Sequence, residues 1–324
     1  MELSDFGRCA FSVCAGTILL AGCGSSQPPI GASGTMPQGR AIPAHAEGRG
    51  SWMLPEANGE ALLYIADYGS GVLVYSYGPS RIKLVGFLSS PEIGAGECVD
   101  SKQDVFITSS NHEIFEYPHG GTSPIAVLAD PKATPINCAV DPSTGNLAVV
   151  GYPFGNVNYG VEIFSKARGK PRFYSYPYFG ASACGYDDNG NLFMDGYVFS
   201  GVLNFAELPK GSSNFRNISL NQSFKYGGGV QWDGTHIAVG DEYGAVIYEF
   251  TISGGQGTEV GSTPLTGAGT VWQFFIDKDK VIAPSTFEDY AGFFGIYDYP
   301  SGGAAKRTID LGSPFGAVVS LAPR

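Results

Sequence analysis

The stretch NCAVDPSTGNLAVV (residues 137–150), followed by GVEIF (160–164) and RFYSY (172–176), decides the reading of the fold. It contains four short β-prone runs separated by turn residues, with Asp141 opening a Pro-Ser-Thr-Gly turn. The plan returns as CGYDDNGNLFM (184–194), VLNF (202–205) and FRNI (215–218), and in part as ECVD (97–100) leading to VFI (105–107) and VQWD (230–233) leading to IAV (237–239). Aligning the second run of each unit gives starts at Leu63, Val105, Leu147, Leu192, Ile237 and Val281, spaced by 42, 42, 45, 45 and 44 residues. Third runs recur at Val72–Tyr77, Glu113–Tyr117, Val161–Phe164, Val202–Phe205, Ala245–Phe250 and Phe294–Tyr299. Most lead into a Gly/Pro turn such as YPHGG (117–121).

Four strands in each 42–45 residues, six times over, predict an all-β, six-bladed β-propeller of four-stranded antiparallel blades over residues 51–324. The composition agrees. With 47 Gly, 21 Pro and 13% aromatic residues the chain is poor in helix formers, and 43% hydrophobic residues suffice to fill a core. One such sheet cannot cover both its faces, so a ring must supply the cover. Two segments compete to close that ring. The C-terminal run FGAVVSLA (315–322) is favoured to complete the sheet that begins near Leu62, ahead of SWML (51–54).

Residues 1–22 are predicted to be an export signal: Arg8 marks a thin positive region, and residues 9–22 form an apolar run too short to span a bilayer comfortably. Glu2 and Asp5 dilute that charge. The run ends in Leu20-Ala21-Gly22-Cys23, which resembles the bacterial lipobox, in which the cysteine is acylated and becomes the new N-terminus. Residues 23–50 then read as a lipidated flexible tether rich in Gly, Ser, Pro and Gln. The expected location is the cell envelope, held to the membrane by lipid, and Gly24 after the cysteine implies the outer membrane if the source is Gram-negative. The net charge of −11, with no basic run, argues against a nucleic-acid partner.

Within each unit the first and second strands run antiparallel, so first-strand starts and second-strand ends meet on one face. Glu97 and Asn137 (starts) and Asp67, Asp195 and Asp241 (ends) are therefore the candidate ligand-face residues, with Glu242 and Glu288 nearby. The units containing VDPSTGNLAV and DNGNLF resemble blades of the NHL type and of the regucalcin/gluconolactonase superfamily, and ADYGSG (66–71) resembles an NHL strand end. The resemblance covers about residues 60–322, as short repeat motifs. With the lipobox, the layout also resembles a group of bacterial propeller lipoproteins. The superfamily implies a divalent cation over the central channel, which points to Ca²⁺ on Glu97, Asn137, Asp195 and Asp241. The corresponding starts elsewhere, Ala183, Gly228 or Gly229, and Thr270, depart from such a ligand set. No cofactor is otherwise expected.

Asp100, Asp141, Asp187 and Asp233 recur after the first strand and are read as turn caps accepting backbone N–H bonds rather than as catalytic carboxylates. Three cysteines, Cys98, Cys138 and Cys184, remain in the folded region. Cys138 and Cys184 align in neighbouring units, which leaves a disulfide between them open. Cys98 is offset by one and is expected to point the other way; the simpler reading makes all three small buried apolar side chains. His45, His112, His119 and His236 show no metal-ligand spacing, and no nucleophile elbow, P-loop or dinucleotide fingerprint is present. Most aromatic rings are expected to fill the space between sheets. Tyr68, Tyr152, Tyr197 and Tyr243, just past the second strands, are the surface candidates.

The sequence thus supports a non-catalytic binding or scaffold module at the envelope, taking a protein, peptide or carbohydrate ligand. The alternative is a Ca²⁺-dependent lactonase or hydrolase of gluconolactonase type, which requires the channel oxygens to converge on one point. The anchor is directly testable: Cys23→Ser is expected to move a folded protein from the membrane fraction to the soluble fraction, and unchanged membrane association counts against lipid attachment.

Overall fold

A computed structural model describes residues 50–68, 70–78, 81–89, 93–154, 159–176, 180–197, 203–289 and 291–322, without the side chains of 93–95 and 197. The export signal, Cys23, the tether up to residue 49, the start of the third run at Val202 and the ring of Tyr197 lie outside the described residues. Among the described residues, apart from two short 3-10 turns, Pro55–Gly59 and Ser165–Ala167, the regular elements are strands.

The strands make five hydrogen-bonded sheets. The first contains β1 (Trp52–Met53), β2 (Leu62–Asp67), β3 (Gly71–Tyr77), β4 (Ile82–Leu88) and the last strand, β26 (Pro314–Ser320), in the order β1-β4-β3-β2-β26. The second holds β5 (Ile93–Val99), β6 (Val105–Ser109), β7 (Glu113–Tyr117) and β8 (Ala126–Ala129). The third holds β9 (Ala133–Val140), β10 (Leu147–Pro153), β11 (Gly160–Phe164) and β12 (Arg172–Ser175). A nine-stranded sheet follows. It contains β13 (Ala181–Tyr186), β14 (Leu192–Tyr197), β15 (Leu203–Leu208), β16 (Arg216–Leu220), β17 (Gly227–Trp232), β18 (Ile237–Asp241), β19 (Val246–Ser253), β20 (Gln256–Thr266) and the short β24 (Gly303–Ala304). The fifth holds β21 (Phe275–Asp277), β22 (Lys280–Thr286), β23 (Gly292–Asp298) and β25 (Arg307–Leu311).

The second strands start within one residue of the positions the repeat predicts, but the expected six-bladed propeller of NHL or regucalcin type is corrected. Four separate sheets of four or five strands form blades, and the nine-stranded sheet stands where two further blades were expected. The reason is local. Gly254 and Gly255, with φ of 59° and 85°, form a tight hairpin that lets β19 and β20 run on together. The extended tip brings Gln256 and Gly257 into parallel pairing with Ser219 and Leu220 of β16. A β-carbon on Gly257 would lie 2.5 Å from the end of the Leu220 side chain, so a larger residue there requires that side chain to shift. The resulting eight-strand path β13-β14-β15-β16-β20-β19-β18-β17 curls until β13 and β17 lie side by side, close to a closed barrel. Phe193, Phe205, Ile218, Val239 and Phe250 fill its interior.

Elsewhere the alternation of each strand sends apolar side chains to both faces, so every sheet is covered by its neighbours. Leu62, Tyr64 and Ala66 pack with Val105, Ile107 and Tyr117 on one side of β2, while Leu63 and Ile65 pack with Ile282 and Phe294 on the other. The C-terminal segment takes the slot beside β2, pairing Leu62 with Ser320 through Ala66 with Gly316. Trp52 and Met53 pair instead with β4 at the opposite edge.

The cysteine expectation is also corrected. Cys98 and Cys138 form a disulfide with Cα atoms 5.7 Å apart, and Cys184 is a buried free thiol. Adjacent sheets turn opposite faces toward each other. Side chains at matching positions, such as Cys138 and Cys184, therefore point in the same rotational sense and cannot meet. The one-residue offset of Cys98 is what turns it toward Cys138, within the layer formed by Phe106, Val149 and Phe164. Because this bond crosses two sheets and 40 residues, the Cys98→Ala/Cys138→Ala variant is expected to lose about 2–4 kcal/mol of stability in urea denaturation. Equal midpoints for variant and parent under oxidising conditions contradict this.

Candidate functional site

The innermost strands β5, β9, β13, β17, β21 and β26 line one axial cavity of about 280 Å³. Their edges face the axis and carry backbone groups that no neighbouring strand pairs. Side-chain amides supply the missing partners. Asn137 Oδ1 accepts the Cys184 N–H at 3.1 Å. Gln231 accepts the Ile276 N–H at 2.8 Å and donates to the Ile276 carbonyl at 3.1 Å. Gln273 accepts the Glu97 N–H at 3.1 Å and donates to its carbonyl at 2.6 Å. The disulfide joins β5 to β9, and Gly185 lies so close to β17 that a β-carbon there would sit 2.5 Å from the Val230 carbonyl oxygen.

The second-strand acids have a comparable structural role. The register shifts by a residue near the start of several inner strands, and a polar side chain on the neighbouring second strand fills the gap. Asp195 accepts the Ala183 N–H at 2.8 Å beside the shift in β13. Asp241 accepts the N–H groups of Lys225 and Tyr226 at 3.0 and 3.2 Å beside the shift in β17. Asp67 accepts the Ser313 N–H beside the shift in β26. In β6, Thr108 does the same for Gly96. These groups are ladder partners for kinked backbone, which accounts for their burial.

Among the described residues no three of Glu97, Asp195, Asp241 and Glu242 bring their carboxylates within 4.8 Å of one another. Glu97, Asp195 and Glu242 are each buried with at least one carboxylate oxygen lacking a hydrogen bond of normal geometry. Burial pushes Glu97 up to about 8, opposed by the Ala66 amide, and Glu242 up to about 8, opposed by Tyr243. Burial also raises Asp195 well above the usual carboxylate range, with the Glu242 charge adding to it. Burial raises the Cys184 thiol, which removes it as a nucleophile. The turn caps fall as read: Asp100 accepts from Lys102 and Asp104, Asp141 from Ser143, Asp187 from Asn189 and Asn191, and Asp233 from Thr235 and His236.

The face on which the second strands end carries exposed aromatic rings. Tyr68, 65% exposed, follows β2, and Tyr243, 52% exposed, follows β18. Tyr152 is the penultimate residue of β10, Phe154 follows that strand, and Phe287 follows β22; all three rings are exposed. Further rings support them. Trp272 and Tyr68 each lie against Phe315, at 5.3 and 5.7 Å between centroids, and Tyr226 lies 5.2 Å from Tyr243. Sequence reasoning found Tyr68, Tyr152 and Tyr243. It missed Phe154 and Phe287, although Phe287 stands directly after a second strand as Tyr68 does.

No family model matches the chain, and no curated protein matches it in sequence. Among solved structures it is similar to a chain in the crystal structure of a nidogen/laminin complex, with a TM-score of 0.67 and 12% identity over 82% of this chain and 100% of that one. It is also similar to a protein of unknown function from Bacteroides caccae, with a TM-score of 0.58 and 12% identity over 81% of this chain and 99% of that one. At this identity the likeness concerns fold alone, a propeller-like all-β arrangement.

The buried acids give the molecule a pH signature. Glu97 ionises near 8 when folded but near its ordinary 4.5 when unfolded, so between those values the folded state holds a proton the unfolded state has lost. Its contribution is complete below about 4.5 and is lost as pH rises through 8. Glu97→Gln is therefore expected to gain urea resistance relative to the parent from pH 5 to pH 9. A parent–variant difference that stays constant with pH contradicts the assignment.

Proposed function

We propose that this chain is a non-catalytic binding or scaffold module displayed at the cell envelope through a lipid on Cys23. The observation that carries the binding role is the set of exposed rings, Tyr68, Tyr152, Phe154, Tyr243 and Phe287, at second-strand ends on one face of several sheets. Large rings held on rigid strand ends offer contact area at little cost in conformational freedom, suited to a protein, peptide or carbohydrate surface. Asp67, Asp195 and Asp241 accept backbone N–H groups beside the inner strands, a structural use that favours the non-catalytic reading. The nidogen/laminin structure is that of a complex between proteins, in keeping with a partner-binding use of this kind of fold. Cys23 and the composition of residues 24–50 support display at a distance from a membrane.

Photo-crosslinking in the native envelope tests this reading whatever the ligand is. A photoreactive residue replacing Tyr68, Tyr243 or Phe287 is expected to give discrete adducts, and one replacing Asn189 or Thr235, in turns at the opposite strand ends, is not. Equal labelling from both faces, or none from either, sinks the proposal.

A further inference from the structure

Away from the aromatic face, the turn between β17 and β18 carries Asp233 and His236, and β19 carries Glu249. One ligand atom from each of the three lies within 4.8 Å of the others. The pairing of Ala238 with Glu249 and of Ile237 with Phe250 accounts for this, since it sets Glu249 close to the strand start that His236 opens. His236 Nδ1 is 3.8 Å from Asp233 Oδ2.

The saturation of each group decides what the cluster is for. Asp233 Oδ1 is consumed by the Thr235 and His236 N–H groups at 2.7 and 2.6 Å, and the Tyr299 hydroxyl donates to Oδ2 at 2.7 Å, fixing its direction. Glu249 is only 6% exposed. The Thr263 hydroxyl lies 3.4 Å from Oε1 and 2.8 Å from the Pro300 carbonyl, so its single proton is divided between the two acceptors. Among the described residues Glu249 is therefore a buried carboxylate held only by a long bond from the Thr263 hydroxyl, facing a second carboxylate and an imidazole. Among the described residues no lysine or arginine makes an ion pair with either acid. Burial and the Asp233 charge both raise Glu249, and His236 and the Thr263 hydroxyl oppose them.

We propose that Asp233, His236 and Glu249 form a binding site for a divalent transition-metal ion of the Zn²⁺ class. A cation supplies the charge that two facing carboxylates lack, and the imidazole selects against the all-oxygen preference of Ca²⁺ and Mg²⁺. Ligand atoms around tetrahedral Zn²⁺ stand about 3.4 Å apart at bond lengths of about 2.0–2.1 Å, so three atoms lying within 4.8 Å of one another must close by up to about 1.4 Å. Tyr299 is the outer partner that orients a ligating carboxylate. With three protein ligands, a fourth position is left to water or to an exogenous donor on the half-exposed His236 side.

The test uses the full chain stripped with EDTA and titrated with ZnCl₂ by calorimetry, with thermal unfolding in parallel. One Zn²⁺ per chain is expected to be lost, or weakened at least tenfold, in both His236→Ala and Glu249→Gln, and to persist in His112→Ala. Zn²⁺ should raise the unfolding temperature of the parent and of His112→Ala only. His236→Ala decides the matter if Glu249→Gln does not fold, because His236 lies at the turn surface. Absence of Zn²⁺ binding overturns the site, as does binding that survives in His236→Ala. An equal response to CaCl₂ overturns the metal class.

Discussion

Unpaired inner-strand backbone along the axis is the constraint on which the rest of the molecule depends. A strand at the inner edge of a sheet presents N–H and C=O groups that must find partners once water is displaced. Here the solution is covalent and polar at once. A disulfide joins β5 to β9, and Asn137, Gln231 and Gln273 carry hydrogen bonds from one sheet to another. An amide side chain has both a donor and an acceptor, so Gln231 and Gln273 each imitate a short piece of strand. The inner ring is thereby sewn together without continuous pairing, and the apolar layers between sheets are held in register.

The same demand explains the distribution of acids. A carboxylate at the end of a second strand stands where a ligand-binding group would stand in a catalytic channel, yet Asp67, Asp195 and Asp241 spend an oxygen on kinked backbone beside them. Glu97 and Glu242 are buried without comparable partners, and their raised proton affinity is the consequence. The axis is accordingly held by side-chain bonds between sheets, while the exposed rings stand at second-strand ends.

The strand periodicity was legible because local pattern controls it. Turn aspartates and alternating apolar runs placed the second strands within a residue, and the C-terminal closing strand could be read from its own apolar pattern. What lay beyond the sequence was set by three-dimensional adjacency. Nothing in GTEVGSTPLT (257–266) declares that the β19–β20 hairpin reaches across to β16, so repeat counting predicted separate blades where a continuous sheet forms. Cys98 looked misaligned because equivalent positions were expected to meet, whereas facing sheets bring together positions of opposite parity. His236 shows no second histidine at ligand spacing, since its neighbours are a turn cap and a residue on the next strand.

The place of β26 beside β2 carries a consequence for biosynthesis. The first sheet to be translated cannot acquire its innermost member until residues 314–320 have emerged, so the earliest-made part of the domain is also the last to be finished. Loss of that terminal stretch would strip Leu63, Tyr64 and Ile65 of their backbone partners at the far end of the chain.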